Sequence, residues 1–393
     1  MNPDLSLLHP YPFEKLSALF ADLTPPIDMA NIALSIGEPK HAAPDFVRQA
    51  LIDALPHLST YPASKGLAAL RQAISAWLTQ RFHLQQVDAE RHVLPVSGTR
   101  EALFSFVQAV IDRKQSPQPI VVMPNPFYQI YEGAALLAGA EPYFVNCDAS
   151  NDYLGDFEAI PAEIWQRTQL VFVCTPGNPT GAVMPADRLQ RLIELSDQYG
   201  FVLASDECYS ELYFETPPVG LLEVCAQMGR HDYKNCVVFH SLSKRSNLPG
   251  LRSGFVAGDA DLLAPYLKYR TYHGAAMPVQ NQMASIAAWQ DEAHVEANRV
   301  QYRQKFQMFI DQLGDRLALK KPDAGFYFWL PVEDDEAFAR KLYQDANITV
   351  LAGRYLSRDT PQGNAGKNHV RMALVADVAT CQQAIDRLKQ ILP

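Results

Sequence analysis

The chain has 393 residues, of which 48% are apolar and 20% are charged, and its formal net charge is −9. This length predicts two or three structural units with a large core, and the composition is ordinary for a soluble globular protein. The acidic balance argues against a nucleic-acid-binding surface, although one or two local arginines could still bind an anionic substrate.

The first 45 residues are rich in proline and poor in regular periodicity, and we expect residues 1–45 to pack with a smaller C-terminal domain. The opening MNPDLSLLHPYPFEKL lacks the basic stretch and apolar run of a signal peptide. No apolar run reaches the roughly 18 residues that suggest a membrane span. The six cysteines are scattered without a CxxC pair, which favours a reducing compartment and argues against a zinc site. We therefore expect a cytoplasmic protein with no metal, membrane or nucleic-acid partner.

Residues 46–282 alternate short apolar runs with helical patterns, and we predict that they form one large domain. The helical patterns include AALRQAISAWLTQRF and DRLQRLIELSDQYG. The runs that predict buried strands are IVVMP, LVFVCTP, FVLASDE and CVVFHSLSK, which begin at Ile120, Leu170, Phe201 and Cys236. Alternating strands and helices predict an α/β fold with a mostly parallel sheet covered on both faces.

Residues 283–393 have a different pattern, which predicts a smaller α+β domain. A long helix is expected from about Met283 to Leu317. The segments that follow predict the strand AGFYFWLP, a further helix, the short strand ITVLAG and the strand HVRMALV.

Four chemically notable segments directly follow predicted strands of the large domain. They are PNPFY, TPGNPTG, SDECY and SLSK. Because ligands of open parallel sheets bind at the carboxyl ends of the strands, we expect these segments to form one site.

Lys244 is the residue with the strongest local signal. It follows an apolar strand, and a partly desolvated lysine has a lowered pKa, which suits attack on an aldehyde. Ser241, Ser243 and Arg252 supply two hydroxyls and a fork of donors suited to a phosphate. For an isolated SxSK tetrapeptide, a surface lysine after a strand is the more common outcome, because such a short pattern often arises by chance.

Two further segments offer polar groups to an aromatic cofactor. Asp206 at a strand end could keep a ring nitrogen protonated, and Tyr209 could donate to a ring oxygen. The TPGNPTG run fixes an unusual backbone path, with a cis bond before Pro179 as one option, and would aim Asn178 at a ligand. A helix N-cap and a structural turn are the alternative interpretations.

Three other positions complete the candidate site. Gly98, Thr99 and Arg100 begin a helical pattern, so their backbone N–H groups could bind an anion. Tyr128 could stack on a flat heterocycle, and Arg371 could clamp a carboxylate. Helix capping, a core aromatic and a surface cation are the corresponding structural alternatives.

The order and spacing of these residues resemble those of the class I/II aminotransferases, the aspartate aminotransferase-like group of fold-type I pyridoxal 5′-phosphate enzymes. The resemblance covers nearly the whole chain. As a set it is highly specific, and it includes Gly37, Tyr61, Gly98, Thr99, Arg100, Tyr128, the TPGNPTG run, Asp206, Tyr209, Ser241, Ser243, Lys244, Arg252 and Arg371.

The resemblance implies a large domain with a seven-stranded, mostly parallel sheet, in a homodimer whose active sites lie at the interface. It implies that Lys244 binds the pyridoxal phosphate aldehyde and shuttles a proton, and that Asp206 pairs with the pyridine nitrogen. Asn178 and Tyr209 would bind the ring oxygen, and Tyr128 would stack on the ring. The implied phosphate ligands are Thr99, Arg100, Ser241, Ser243, Arg252 and Tyr61 of the partner subunit. Arg371 would bind the substrate carboxylate, with Gly37 nearby.

Within this family, the segments HPYPFEKL, SIGEPKH and KYRTYHGAAMP resemble the proteobacterial succinyldiaminopimelate transaminases of lysine biosynthesis. That likeness implies a succinylated amino acid and 2-oxoglutarate as substrates. Arg270 and Lys268 are candidates for binding a distal acid, and a surface location is the alternative. Another aminotransferase of this class and a pyridoxal phosphate-dependent C–S lyase remain the rival functions.

Overall fold

The computed structural model describes residues 1–85 and 87–392. Within these ranges, no helix combines the length and apolar character needed to cross a membrane. The strands, in chain order, are β1 (Ile32–Ala33), β2 (Val93–Val96), β3 (Ile120–Asn125), β4 (Glu141–Asn146), β5 (Thr168–Cys174), β6 (Val202–Asp206), β7 (Cys236–Ser241), β8 (Gly254–Gly258), β9 (Tyr327–Pro331), β10 (Ile348–Thr349), β11 (Leu351–Ala352) and β12 (His369–Ala373).

Helices alternate with these strands through most of the chain. They are α1 (Pro12–Leu19), α2 (Asp45–Asp53), α3 (Ala68–Phe82), α4 (Thr99–Val110), α5 (Ile130–Leu137), α6 (Ala162–Trp165), α7 (Ala186–Tyr199), α8 (Leu221–Gln227), α9 (Leu242–Arg245), α10 (Ala260–His273), α11 (Val279–Trp289), α12 (Ala293–Leu313), α13 (Asp335–Ala346) and α14 (Val378–Ile391).

A seven-stranded sheet in the order β2-β8-β7-β6-β5-β3-β4 forms the centre of the molecule. Only β8 is antiparallel to its neighbours in this sheet, so the α/β fold expected from the sequence is confirmed. Side chains alternate between two apolar layers: in β5, Val171 and Val173 pack on one face, and Leu170 and Phe172 on the other. Burial on both faces explains why these strands are continuous apolar runs.

A second, three-stranded antiparallel sheet, in the order β11-β12-β9, carries the C-terminal part of the chain. Its core is formed with α12, α13 and α14 and includes Phe306, Phe328 and Leu342. The N-terminal segment reaches this part, because β1 pairs with β10 in parallel and α1 contacts β11. The proposed domain boundaries stay predictions, and the one after residue 282 falls inside α11, which packs against α2 and α3.

The long helix expected from Met283 to Leu317 is wrong: α11 and α12 are separate helices with a break at residues 290–292. The Asp291 carboxylate accepts from the backbone N–H of His294 at 2.9 Å and caps the start of α12. A side chain that bonds to its local backbone in this way competes with helix continuation. The end of α12 at Leu313, before Gly314, also lies four residues earlier than expected.

Candidate functional site

A cavity of about 560 Å³ lies at the carboxyl edge of the seven-stranded sheet, where the parallel strands end. The C-terminal sheet and the N-terminal segment also contribute to its wall. Twelve of the residues predicted from the sequence line it, namely Gly37, Thr99, Arg100, Tyr128, Asn178, Asp206, Tyr209, Ser241, Ser243, Lys244, Arg252 and Arg371. The structure therefore brings together segments that are up to 334 positions apart in the chain.

Lys244 lies on the short helix α9, directly after β7. The Ser241 hydroxyl caps this helix by accepting from the Ser243 N–H at 3.1 Å. The Nζ atom of Lys244 donates to the carbonyl of Gly37. Burial lowers the pKa of the Lys244 amine to about 8, because a buried ammonium loses its hydration. The site thus holds a lysine with a substantial neutral, nucleophilic fraction near neutral pH.

Asp206 ends β6 with only 5% of its surface exposed. It accepts hydrogen bonds from the Tyr131 hydroxyl at 2.6 Å and from the Cys208 backbone N–H at 3.2 Å. Burial raises the pKa of this carboxyl, and no ion pair within residues 1–85 and 87–392 includes it. A ligand with a protonated ring nitrogen would supply the missing cation.

Gly98 is the N-cap of α4, and no side chain caps that helix. The backbone there has φ +86°, and a Cβ atom at this position would lie 2.2 Å from Nη2 of Arg252. Glycine thus lets the Arg252 guanidinium approach the helix N-terminus, beside Ser241 and Ser243. A guanidinium, a helix N-terminus and two hydroxyl residues form a cradle suited to a phosphate.

Arg371 projects from β12 with 5% of its surface exposed. Its Nη1 donates to Asn178 Oδ1 at 3.0 Å, and its Nη2 donates to the carbonyl of Ser35 at 2.8 Å. Its Nε is buried without a hydrogen-bond partner in the part of the chain that the structure describes. The two hydrogen bonds fix the direction of the guanidinium, and each terminal nitrogen keeps a second N–H that can donate to a carboxylate. The peptide bond between Asn178 and Pro179 is cis, the option considered from the sequence.

Three arginines line the cavity: Arg100, Arg252 and Arg371. None of them forms an ion pair with a carboxylate among the described residues, although arginines elsewhere in the chain commonly do. Arg100 instead donates from Nε to the Tyr128 hydroxyl at 2.8 Å and from Nη2 to the Tyr11 hydroxyl at 3.3 Å. Three arginines that lack an ion-pair partner among the described residues are groups suited to binding anions.

Several groups at the site carry no sequence signal that we used. Tyr327 donates to or accepts from the Tyr209 hydroxyl at 2.9 Å, and its ring lies 4.5 Å from the Arg371 guanidinium. Tyr327 also explains Gly37, because a Cβ atom there would lie 2.0 Å from the Tyr327 hydroxyl. Tyr131, which lies in the first turn of α5 and donates to Asp206, was also not found from the sequence.

Other predicted positions lie outside the cavity. Tyr61 is 100% exposed in the single chain. Arg270, a candidate for a distal acid, is buried and donates to both Glu101 carboxylate oxygens at 2.6 Å. The Arg270 hypothesis is wrong, because this guanidinium is already neutralised. Lys268 is exposed and does not line the cavity. No His, Cys, Asp and Glu cluster suited to a metal occurs in residues 1–85 or 87–392.

Comparisons with known proteins agree in one family. A family model described as aminotransferase class I and II matches residues 30–388. An LL-diaminopimelate aminotransferase of Desulforudis audaxviator is 31% identical over 396 residues, covering 98% of this chain and 96% of that protein. The crystal structure of an aminotransferase from Neisseria meningitidis has a TM-score of 0.95 and 52% identity, covering 100% of both chains. Aminotransferase AspB from Helicobacter pylori has a TM-score of 0.90 and 37% identity, covering 98% of both chains.

Replacing Gly98 by alanine is expected to weaken pyridoxal phosphate binding by about 10-fold or more, because the new Cβ displaces the Arg252 guanidinium. Gly200→Ala is the matched control, since Gly200 has φ +79° but a Cβ atom there would meet no other atom within 4 Å. Backbone strain should cost Gly200→Ala about 1 kcal/mol and Gly98→Ala about 1–3 kcal/mol, because the Gly98 backbone (φ +86°, ψ 150°) lies in a region that is essentially limited to glycine. Affinity is measured by spectroscopic titration, and equal affinities for the two variants would contradict the cradle.

The lowered pKa of Lys244 predicts how its reactivity depends on pH. Below pH 8 the neutral fraction of the amine falls about tenfold per pH unit, so its reaction with an added aldehyde should slow by that factor. Above about pH 8 the rate should level off. Borohydride trapping followed by mass spectrometry measures the rate at this residue, and Lys244→Ala is the control. A rate that continues to rise to pH 10 would mean that burial does not lower the pKa.

Proposed function

The chain belongs to the class I and II aminotransferase family, and we propose that within it the protein is the succinyldiaminopimelate transaminase of lysine biosynthesis. Enzymes of this family use pyridoxal phosphate and act on amino acids and 2-oxo acids. The proposed reaction moves the amino group of N-succinyl-diaminopimelate to 2-oxoglutarate, which yields glutamate and the corresponding succinylated oxo acid.

The cavity residues fit the cofactor group by group. Lys244 would bind the aldehyde, and Asp206, which lacks a cationic partner, would hold the pyridine nitrogen in its protonated form. Asn178 and Tyr209 would bind the ring oxygen, and Tyr128 would cover the ring face. The phosphate would be held by the start of α4 at Thr99 and Arg100, by Ser241, Ser243 and Arg252, and by Tyr61 of the partner subunit.

The chain's own residues then perform binding, orientation and proton transfer. When bound, pyridoxal phosphate withdraws electrons from the substrate α-carbon and makes its C–H bond acidic. Arg371 would orient the substrate through its α-carboxylate, with Asn178 and Gly37 beside it. The neutral Nζ of Lys244 would accept the Cα proton and deliver it elsewhere within the site, and its lowered pKa suits both steps.

The observation that carries the substrate proposal is the set of three cavity arginines that have no carboxylate partner in residues 1–85 and 87–392. Arg252 matches the cofactor phosphate, and Arg371 matches the substrate α-carboxylate. The side chain of Arg100 is left for a distal acid. Its guanidinium is held by the hydroxyls of Tyr11 and Tyr128, so its direction is set before a ligand binds. This assignment replaces Arg270.

LL-diaminopimelate is the second candidate substrate, because curated relatives about 30% identical carry that activity in their names. Its distal end has a carboxylate, which Arg100 could also bind, and beside it an ammonium, which calls for a carboxylate partner on the protein. The acidic side chains lining the described cavity are Glu38 and Asp206. Glu38 is paired with Lys40, and Asp206 is buried and assigned to the cofactor ring nitrogen. A succinylated amine, which has no distal ammonium and carries an additional carboxylate, therefore fits the charges better.

The proposal includes a cytoplasmic homodimer with shared active sites. Tyr61 is fully exposed, so its predicted phosphate contact requires a partner subunit. The neighbouring side chains of Ile52, Leu55 and Leu58 are exposed apolar groups that a second copy would cover. Six free cysteines support a reducing compartment.

A half-reaction screen tests the substrate. The holoenzyme is mixed with single amino donors, and the absorbance of the bound cofactor is followed as it is converted to pyridoxamine phosphate. Glutamate and N-succinyl-diaminopimelate should convert it at saturable rates, and LL-diaminopimelate should be at least about 10-fold less efficient. Efficient conversion by LL-diaminopimelate but not by its succinylated form would reverse the choice of substrate. Elimination products without conversion would indicate a C–S lyase.

Arg100→Met is expected to lower kcat/KM for N-succinyl-diaminopimelate by about 10- to 100-fold, because one charge-assisted contact to the distal acid is lost. Methionine preserves the side-chain stem, and cofactor affinity should change little because only the Arg100 backbone is assigned to the phosphate. Lys268→Met is the matched control and should leave kcat/KM within about 2-fold of the wild type. If the two substitutions changed kcat/KM equally, Arg100 would not be the residue that binds the distal acid.

A further inference from the structure

Lys305 is a buried lysine that the reaction described above does not use. Its side chain on α12 is 0% exposed, and no ion pair within the described ranges includes it. Its Nζ donates to the carbonyl of Ala376 at 2.9 Å, lies 4.1 Å from the centre of the Tyr302 ring and is 2.8 Å from Nε2 of His41. Burying an amine in this way is costly, so the contacts that it makes require an explanation.

The contact with His41 fixes the protonation of that ring. Burial lowers the pKa of Lys305 to about 8, so near neutral pH its nitrogen is mainly an ammonium, which can only donate. Nε2 of His41 then accepts, and the ring proton is on Nδ1. Burial lowers the pKa of His41 to about 4, which keeps the ring neutral. Nδ1 then donates to Oδ1 of Asn298 at 2.7 Å. This contact sets the orientation of the Asn298 side-chain amide, because the amide oxygen must face His41.

The Asn298 amide nitrogen consequently faces α9. It donates to the carbonyl of Lys244 at 3.2 Å and to the carbonyl of Arg245 at 3.4 Å. These carbonyls belong to a helix of four residues, which provides few partners of its own for them. A series of hydrogen bonds, each donated in the same direction, thus runs from Lys305 to His41, from His41 to Asn298 and from Asn298 to the backbone of Lys244. Lys244 is the residue proposed to transfer the proton.

The same series ties Lys244 to the segment that covers it. His41 lies four positions after Gly37, whose carbonyl accepts from Lys244 Nζ. Asn298 and Lys305 are seven positions apart, so they lie two turns apart on one face of α12. Both ends of Lys244 are therefore linked to this face of α12. Its backbone is linked through Asn298, and its side-chain tip is linked through residues 37–41.

We propose that Lys305, His41 and Asn298 are positioning residues that fix the direction of the Lys244 amine for proton transfer. None of the three lines the cavity, so they act through α9 and through the segment from Gly37 to His41. Loss of the series would leave the substrate-binding arginines in place and misdirect Nζ. Small displacements of a catalytic group are costly, about 100-fold in rate for an error of 1 Å.

The experiment compares His41→Phe, Lys305→Met and the double variant as holoenzymes. Phenylalanine keeps a ring against Tyr302, which lies 4.8 Å from His41 between ring centres, and removes both hydrogen bonds. We expect kcat to fall about 10- to 100-fold with KM within about 2-fold of the wild type, and the double variant to be no slower than the slower single variant. The pH midpoint of the cofactor absorbance change should also move, because it reports the environment of Lys244.

His41→Gln is the rescue variant, because an amide can both accept from Lys305 and donate to Asn298. It should recover most of the lost kcat. His294→Phe is the matched control, since His294 contacts Ser246 near α9 at 2.8 Å but is outside the series. It should leave kcat within about 2-fold of the wild type.

Three results would overturn the proposal. One is an unchanged kcat and absorbance midpoint in His41→Phe with only a lower thermal midpoint, which indicates a purely structural role. Another is multiplication of the two single effects in the double variant. The third is an equal loss of kcat in His41→Gln and His41→Phe. Should Lys305→Met not fold, the comparison of His41→Phe with His41→Gln still decides.

Discussion

The common direction of the central strands is the constraint on which the rest of the structure depends. Six of the seven strands run one way, so the residues that follow β2, β3, β5, β6 and β7 meet at one edge. The antiparallel strand β8 adds to the same edge through its amino end, where Arg252 precedes Gly254. A covered parallel sheet leaves this edge open to a ligand, because the helices occupy its two faces.

The charge of the cavity is set by the ionisable side chains that lack an ion-pair partner of opposite charge. Three arginines there have no carboxylate, Asp206 has no cation, and Lys244 is buried, as far as the described residues extend. Burying such charged groups without partners costs free energy. That cost would be offset when a phosphate, carboxylates and a protonated ring nitrogen bind beside them. The cavity therefore offers unpaired cationic groups within a chain whose net charge is −9.

The C-terminal sheet and the N-terminal segment complete the site from outside the central sheet. Arg371 comes from β12, and Gly37 follows β1, which pairs with β10. Gly37 is close enough to Tyr327 that any side chain would collide with it. Arg371 and Gly37 therefore keep their places in the cavity wall through the packing of these outer strands.

The sequence by itself determined the α/β fold and twelve of the 25 residues that line the cavity, because most of their motifs are local patterns at the end of an apolar run. It did not predict the break at residues 290–292, where a single Asp291 cap outweighs helical periodicity. Nor did it distinguish Arg100 from Arg270, since whether an arginine is neutralised depends on a carboxylate supplied by packing. Only the tertiary structure decided the contact of Lys305 with His41, 264 positions away, because long-range pairing of side chains has no local signature.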